Sequence, residues 1–238
     1  MEPLTPPAAG SSRRFDLAVD SVRALNDYLH RRAAAEGMRR VEVVNPGGRH
    51  NIAVGIDAPL EIRIDGHAGY FVAGMNKHAR VTVRGNVGWS VAENIMSGTV
   101  RVTGNASECA GASGHGGLVV IEGDASSRCG ISMKGCDIVV GGSVGHMSAF
   151  MAQAGHLVVC GDADPGLGDS LYEAVIYVGG AIRGLGADAR EEPMTSADHA
   201  RVADLLAAAG LDGDPARFKR VASARTLYHW NAEHYQEY

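Results

Sequence analysis

Apolar and polar residues alternate in short runs that recur at a fixed interval through the middle of this chain. The apolar members come in pairs two residues apart: Ile62/Ile64, Val81/Val83, Val100/Val102, Val119/Ile121, Ile138/Val140, Leu157/Val159 and Ile176/Val178. Residues such as Arg63, Thr82, Arg101 and Val139 stand between them. This is the period of a β-strand with one buried face. Two residues beyond each pair comes a glycine. Gly66, Gly85, Gly104, Gly123, Gly142, Gly161 and Gly180 follow one another at 19-residue steps.

One short strand and one turn in every 19 residues points to a solenoid. Helical repeats need roughly 33 residues or more per unit and propeller blades about 40. Each repeat therefore makes one turn of a coiled ribbon, stacked about 4.8 Å from the next. The fold expected is all-β: a single-stranded right-handed parallel β-helix of seven 19-residue coils, with short helical flanks. Small residues recur seven positions after the glycines, at Ala73, Ala92, Gly111, Gly130, Ala149 and Gly168. They suit sharp bends and close approach of neighbouring coils. Of 32 glycines, 25 lie between Gly66 and Gly186.

The flanks read differently. Residues 1–12, with Pro3, Pro6 and Pro7, are expected to form a disordered leader. Residues 13–60 are expected to hold a helix from about Asp20 to Ala35, then a cap in which Gly47 marks a degenerate coil broken by Asn45 and Pro46. The β-helix spans 61–186. Residues 187–238 are assigned to C-terminal helices and an aromatic docking tail. The first of those helices runs from about Ala197 to Ala209, with a Thr195-x-x-Asp198 capping pattern and Gly210 as its stop. A further short helix is expected from Pro215 to about Arg225. Phe218, Tyr228, Trp230, Tyr235 and Tyr238 crowd the last 21 residues of a chain with 13 aromatics. That tail suits packing on the chain's own solenoid or docking on a partner.

Composition narrows the function. Net charge is −5 with no basic run, which argues against nucleic acid. No apolar stretch approaches a membrane span and the start has no signal-peptide pattern, so a cytoplasmic location is expected. Cys109, Cys129, Cys136 and Cys160 form no C-x-x-C pair and read as reduced thiols, not as metal ligands. His67, His78, His115, His146 and His156 occupy different coil positions and read as surface residues. His115, in an exposed Gly114-His115-Gly116-Gly117 corner, is a candidate interface residue, as are Tyr228, Trp230 and Tyr235. Asp162, Asp164 and Asp169 offer the one carboxylate cluster suited to a polysaccharide-cleaving β-helix. Catalytic, cofactor-binding and metal-binding residues are otherwise expected to be absent. The seven column glycines are the structural set.

The divided pattern G-x-x-G-x-x-x-G, as in Gly66/Gly69, Gly85/Gly88 and Gly104/Gly111, resembles the GXGXG β-helical domain of glutamate synthase large subunits. The flanks around Phe15-Asp16-Leu17, Val43-Val44-Asn45-Pro46-Gly47 and Tyr228-His229-Trp230-Asn231 are similar to free-standing GlxC-type subunits of glutamate-synthase-like complexes, including N-methylglutamate synthase. The resemblance implies a non-catalytic subunit that spaces an amidotransferase-like subunit from a synthase subunit bearing FMN and an iron–sulfur cluster. It implies no cofactor on this chain. An ammonia-using glutamate synthase and a stand-alone carbohydrate-active β-helix are the alternatives. Position 2 is Glu2, where class II glutamine amidotransferases place their nucleophilic cysteine, so that activity is not expected here.

Overall fold

The computed structural model describes residues 12–225. One 11-stranded sheet runs the length of the molecule. Its strands are β1 (Ser12–Asp16), β2 (Arg40–Val44), β3 (Glu61–Asp65), β4 (Arg80–Arg84), β5 (Thr99–Val102), β6 (Leu118–Ile121), β7 (Lys134–Val140), β8 (Ala154–Val159), β9 (Val175–Val178), β10 (Ala189–Glu192) and β11 (Lys219–Ser223). Two helices accompany them, α1 (Val22–Arg31) and α2 (Ser196–Ala209). From β1 to β9 every strand pairs in parallel with the next. Ile62, Val81, Val100, Val119, Ile138, Leu157 and Ile176 are stacked partners in that ladder. Chain position advances by one 19-residue repeat at each step, as a parallel β-solenoid requires. A second ladder of single bridges joins Ala68, Val87, Ala106, Ala125, Val144, Ala163 and Ile182. The paired apolar positions and these small residues fill the interior, and the strand pairs are fully buried.

The flanks depart from the sequence reading in three places. Residues 40–44 are no irregular cap but a strand in full register with β3, and β1 lies outside β2. Extra residues between the strands hid this, because Val41 pairs with Ile62, a step of 21. The first helix is shorter than expected and ends at Arg31. The expected helix after Pro215 is only a 3-10 turn over Pro215–Arg217, followed by β11. There β11 runs antiparallel to both β9 and β10. It thereby pairs the backbone of β9, which a helix could not have done.

A helix packs near each end of the stack. At the N-terminal end, α1 is capped by the Ser21 hydroxyl, which accepts from Ala24 N–H at 3.1 Å. It buries Leu25, Tyr28 and Leu29. Its Asn26 reads the first coil as another coil would. Nδ2 donates to Asn51 O at 2.7 Å and Oδ1 accepts from Ala53 N at 3.0 Å. His30 Nε2 donates to Val54 O at 2.7 Å one helical turn later. Toward the other end, α2 lies on the outer face of the sheet. Val202, Leu205, Leu206 and Ala209 pack with Val120, Val139, Val158, Tyr177 and Phe218. The outer face of β6–β9 is apolar at Val120, Val139, Val158 and Tyr177 for that reason, whereas β3 and β5 carry Arg63 and Arg101 there. Arg63 pairs with Asp65 and Arg101 with Glu122.

Candidate functional site

The column glycines are set by close approach between coils. A Cβ on Gly104 would lie 2.3 Å from Asn86 Oδ1 and 2.8 Å from Gly85 O. Gly123, Gly142, Gly161 and Gly180 meet the same two obstacles, the preceding glycine and the side chain after it. Each of these N–H groups donates to the glycine carbonyl of the coil before, at 2.8–3.1 Å. The residues after the glycines form a polar ladder. His67 Nδ1 accepts from Asn86 N, Asn86 Oδ1 from Asn105 N, and Asn105 Oδ1 from Asp124 N, all at 2.8–2.9 Å. Asp124, Ser143 and Asp162 continue it to Ala181 N. His67 and Asp162 therefore hold coils together: His67 is at the surface, as the sequence placed it, while Asp162 was read as a possible catalytic acid.

The third side of each coil is built from left-handed turns. The fifth, seventh and ninth residues after each column glycine from Gly66 to Gly161 have positive φ. In one coil these are Phe71 (59°), Ala73 (53°) and Met75 (54°), and in another Met147 (59°), Ala149 (56°) and Met151 (53°). Non-glycine residues pay roughly 1 kcal/mol or more in that region. Hydrogen bonds to both neighbouring coils offset it: Phe71 N–H donates forward to Trp89 O, Ala73 N–H back to Ile52 O, and Met75 N–H forward to Glu93 O. The result is a flat backbone surface that repeats from coil to coil.

Exposed apolar side chains gather on this side. Tyr70, Phe71, Met75, Trp89 and Met151 lie on the turn residues, and Met96 and Tyr172 at their far corner. Val19, the eighth large exposed apolar residue among the described residues, lies elsewhere. His50, Tyr70 and Trp89 stack in successive coils, with ring centroids 4.3 and 5.1 Å apart. Stacking of this kind turns ring edges, not faces, toward solvent, which suits a protein surface better than a sugar ring. Over the six coils from Tyr70 to Leu171, the seven-residue turn segments carry only four charges, Glu93, Glu108, Arg128 and Asp169. His115 is exposed at the far corner, in the same column as Met96 and Lys134. Tyr228, Trp230 and Tyr235 lie outside the described residues.

No protein-family model matches the chain. Protein GlxC of Rhizobium meliloti (strain 1021) is 51% identical over 225 residues, spanning 94% of this chain and 99% of that protein. The chain belongs to the GlxC family. In this GlxC-family chain the groups that suggested chemistry have structural partners. Asp162 accepts from Ala181 N and pairs with Arg183, and these bonds hold its carboxyl below the ordinary range. Asp164 also pairs with Arg183, at 3.6 Å, and Asp169 Oδ2 accepts from Ala187 N at 3.1 Å. Burial pushes the Cys129 and Cys136 thiols up to about 12, so both stay protonated and are poor metal ligands. Among the described residues no cluster of three or more His, Cys, Asp or Glu could hold a metal ion. None of their helices is long and apolar enough to cross a membrane.

Proposed function

We propose that this GlxC-family chain is the non-catalytic spacer of a cytoplasmic glutamate-synthase-type complex, most directly an N-methylglutamate synthase. In this reading it holds a glutamine amidotransferase-like subunit and an FMN- and iron–sulfur-bearing synthase subunit at fixed separation. The observation that carries the proposal is that, of eight exposed large apolar side chains among the described residues, Tyr70, Phe71, Met75, Trp89 and Met151 gather on one sparsely charged side of a hydrogen-bonded rod. A rod of continuous ladders resists bending, and fixed geometry between reactive centres is itself a contribution to rate. Aromatic and methionine side chains on a weakly charged surface are the composition of interface centres. In this reading the partners supply the flavin and the cluster.

The test is coexpression with an amidotransferase-like and a flavin-binding subunit. The three should copurify with flavin absorbance, and the lone chain should show neither flavin nor glutaminase activity. Tyr70→Ala combined with Trp89→Ala should weaken association at least 10-fold while the circular dichroism spectrum stays unchanged. Undiminished copurification of a folded double variant would reject this side as the interface. Assaying the complex with methylamine and with ammonia separates the N-methylglutamate synthase from an ammonia-using glutamate synthase.

A further inference from the structure

Ala224 and Arg225 are both held by Asp188. Ala224 N–H donates to Asp188 O at 2.7 Å and the Arg225 guanidinium pairs with the Asp188 carboxylate. Ala222 and Ser223 line one shallow pocket together with Tyr172. Tyr172 is itself 45% exposed and begins a column that runs back along the rod. In it Tyr172, Gln153, Lys134, His115 and Met96 occupy equivalent positions, each donating its backbone N–H to the preceding coil in the same way. Apolar Tyr172 and Met96 sit at the two ends, with Lys134 and His115 between them. None of the described carboxylates pairs with Lys134 or His115.

The 13 residues from Thr226 to Tyr238 are chemically complementary to that column. They contain Leu227, Tyr228, Trp230, Tyr235 and Tyr238, two acids in Glu233 and Glu237, and no Lys or Arg. Four coil steps from Tyr172 to Met96 cover about 19 Å. Thirteen extended residues reach about 43 Å. Length, starting point and charge therefore agree. We propose that residues 226–238 dock in cis along the Tyr172–Met96 corner, with their aromatic rings on Tyr172 and Met96 and their glutamates facing Lys134 and His115. This strip borders the flat side and leaves Tyr70 and Trp89 free. The inference stands whether or not the assembly proposed above is correct.

Trp89 and Trp230 are the chain's two tryptophans, so Trp89→Phe leaves Trp230 as the sole indole emitter. In that full-length variant, emission should be blue-shifted and acrylamide quenching at least threefold weaker than for a free peptide of residues 226–238. Adding Lys134→Glu should bring both readings toward those of the peptide. Peptide-like emission before that change would overturn the proposal, and so would a blue shift that Lys134→Glu leaves untouched. A carbodiimide cross-link needs no substitution: it should join Glu233 or Glu237 to Lys134 within one chain. In an equal mixture of light and isotope-labelled protein, mixed-isotope cross-links would assign the tail to a second copy and overturn the cis arrangement.

Discussion

At the scale of single residues, crowding and backbone bonding explain what the repeat conserves in this chain from coil to coil. Gly104→Val should destabilise the fold by about 3 kcal/mol or more, because its Cβ would collide with backbone and the polar ladder at once. Gly184→Ala is the contrast, since that Cβ would meet only Pro165 at 3.5 Å. Urea unfolding should show it within about 0.5 kcal/mol of wild type. Asn105→Ala removes one rung of the ladder and should cost about 1 kcal/mol. It should also speed hydrogen exchange at the Asp124 amide, the group that loses its acceptor. The column glycines were legible in the sequence because their spacing is strict. The ladder beside them was not, because His, Asn, Asp and Ser perform one task there and do not look like one residue class. The left-handed columns were half legible. The seventh position shows itself by its alanines and glycines, while the fifth holds Phe71, Ser90, Cys109, Arg128 and Met147, which share no propensity.

At the scale of elements, the helices do work that periodicity alone does not reveal. The Thr195–Asp198 capping box was readable from spacing and is present, with Asp198 N–H donating to Thr195 Oγ1 at 3.2 Å. What the spacing could not show is that Asp198 also accepts from Tyr177 and Arg220, tying α2 to the sheet. Burial opposes the charge on Asp198, but the bonds from Thr195 and Tyr177 outweigh it and lower its pKa. A depressed carboxylate stabilises the fold above its unfolded value, about 4, and loses that contribution as pH falls through the folded value. Stability measured from about pH 7 to about pH 3 should therefore fall on acidification, and Asp198→Ala should flatten that fall. The helix of α1 was expected but its hold on the first coil was not, since Asn26 and His30 look like ordinary helix-surface residues until the coil edge is placed beneath them. Asn26→Ala leaves Asn51 O and Ala53 N without their partner and should cost about 1–2 kcal/mol. The loss should appear as faster exchange in the first coil before any change near β9.

At the scale of the whole molecule, length is the property on which the proposed role depends, and the ladder makes it adjustable in known steps. Each coil joins its neighbours through equivalent partners 19 residues away, from β3 through β9. A duplicate of residues 85–103 inserted after Thr103 should therefore join the stack without breaking register. It lies ahead of the strands that α2 covers, so the packing around Val139, Val158 and Tyr177 would remain. The rod would grow by about 4.8 Å, and the urea midpoint should stay near that of the parent because stacked repeats contribute nearest-neighbour terms. If the chain acts as a spacer, the assembled complex should lose at least 10-fold in coupled turnover, while each partner's own half-reaction keeps its rate. An effect of that kind would arise from misplacing reactive centres and not from lost contacts, since the original docking residues are all retained. Full coupled turnover in a folded, lengthened variant would remove the reason for so stiff a rod and refute the spacing role directly.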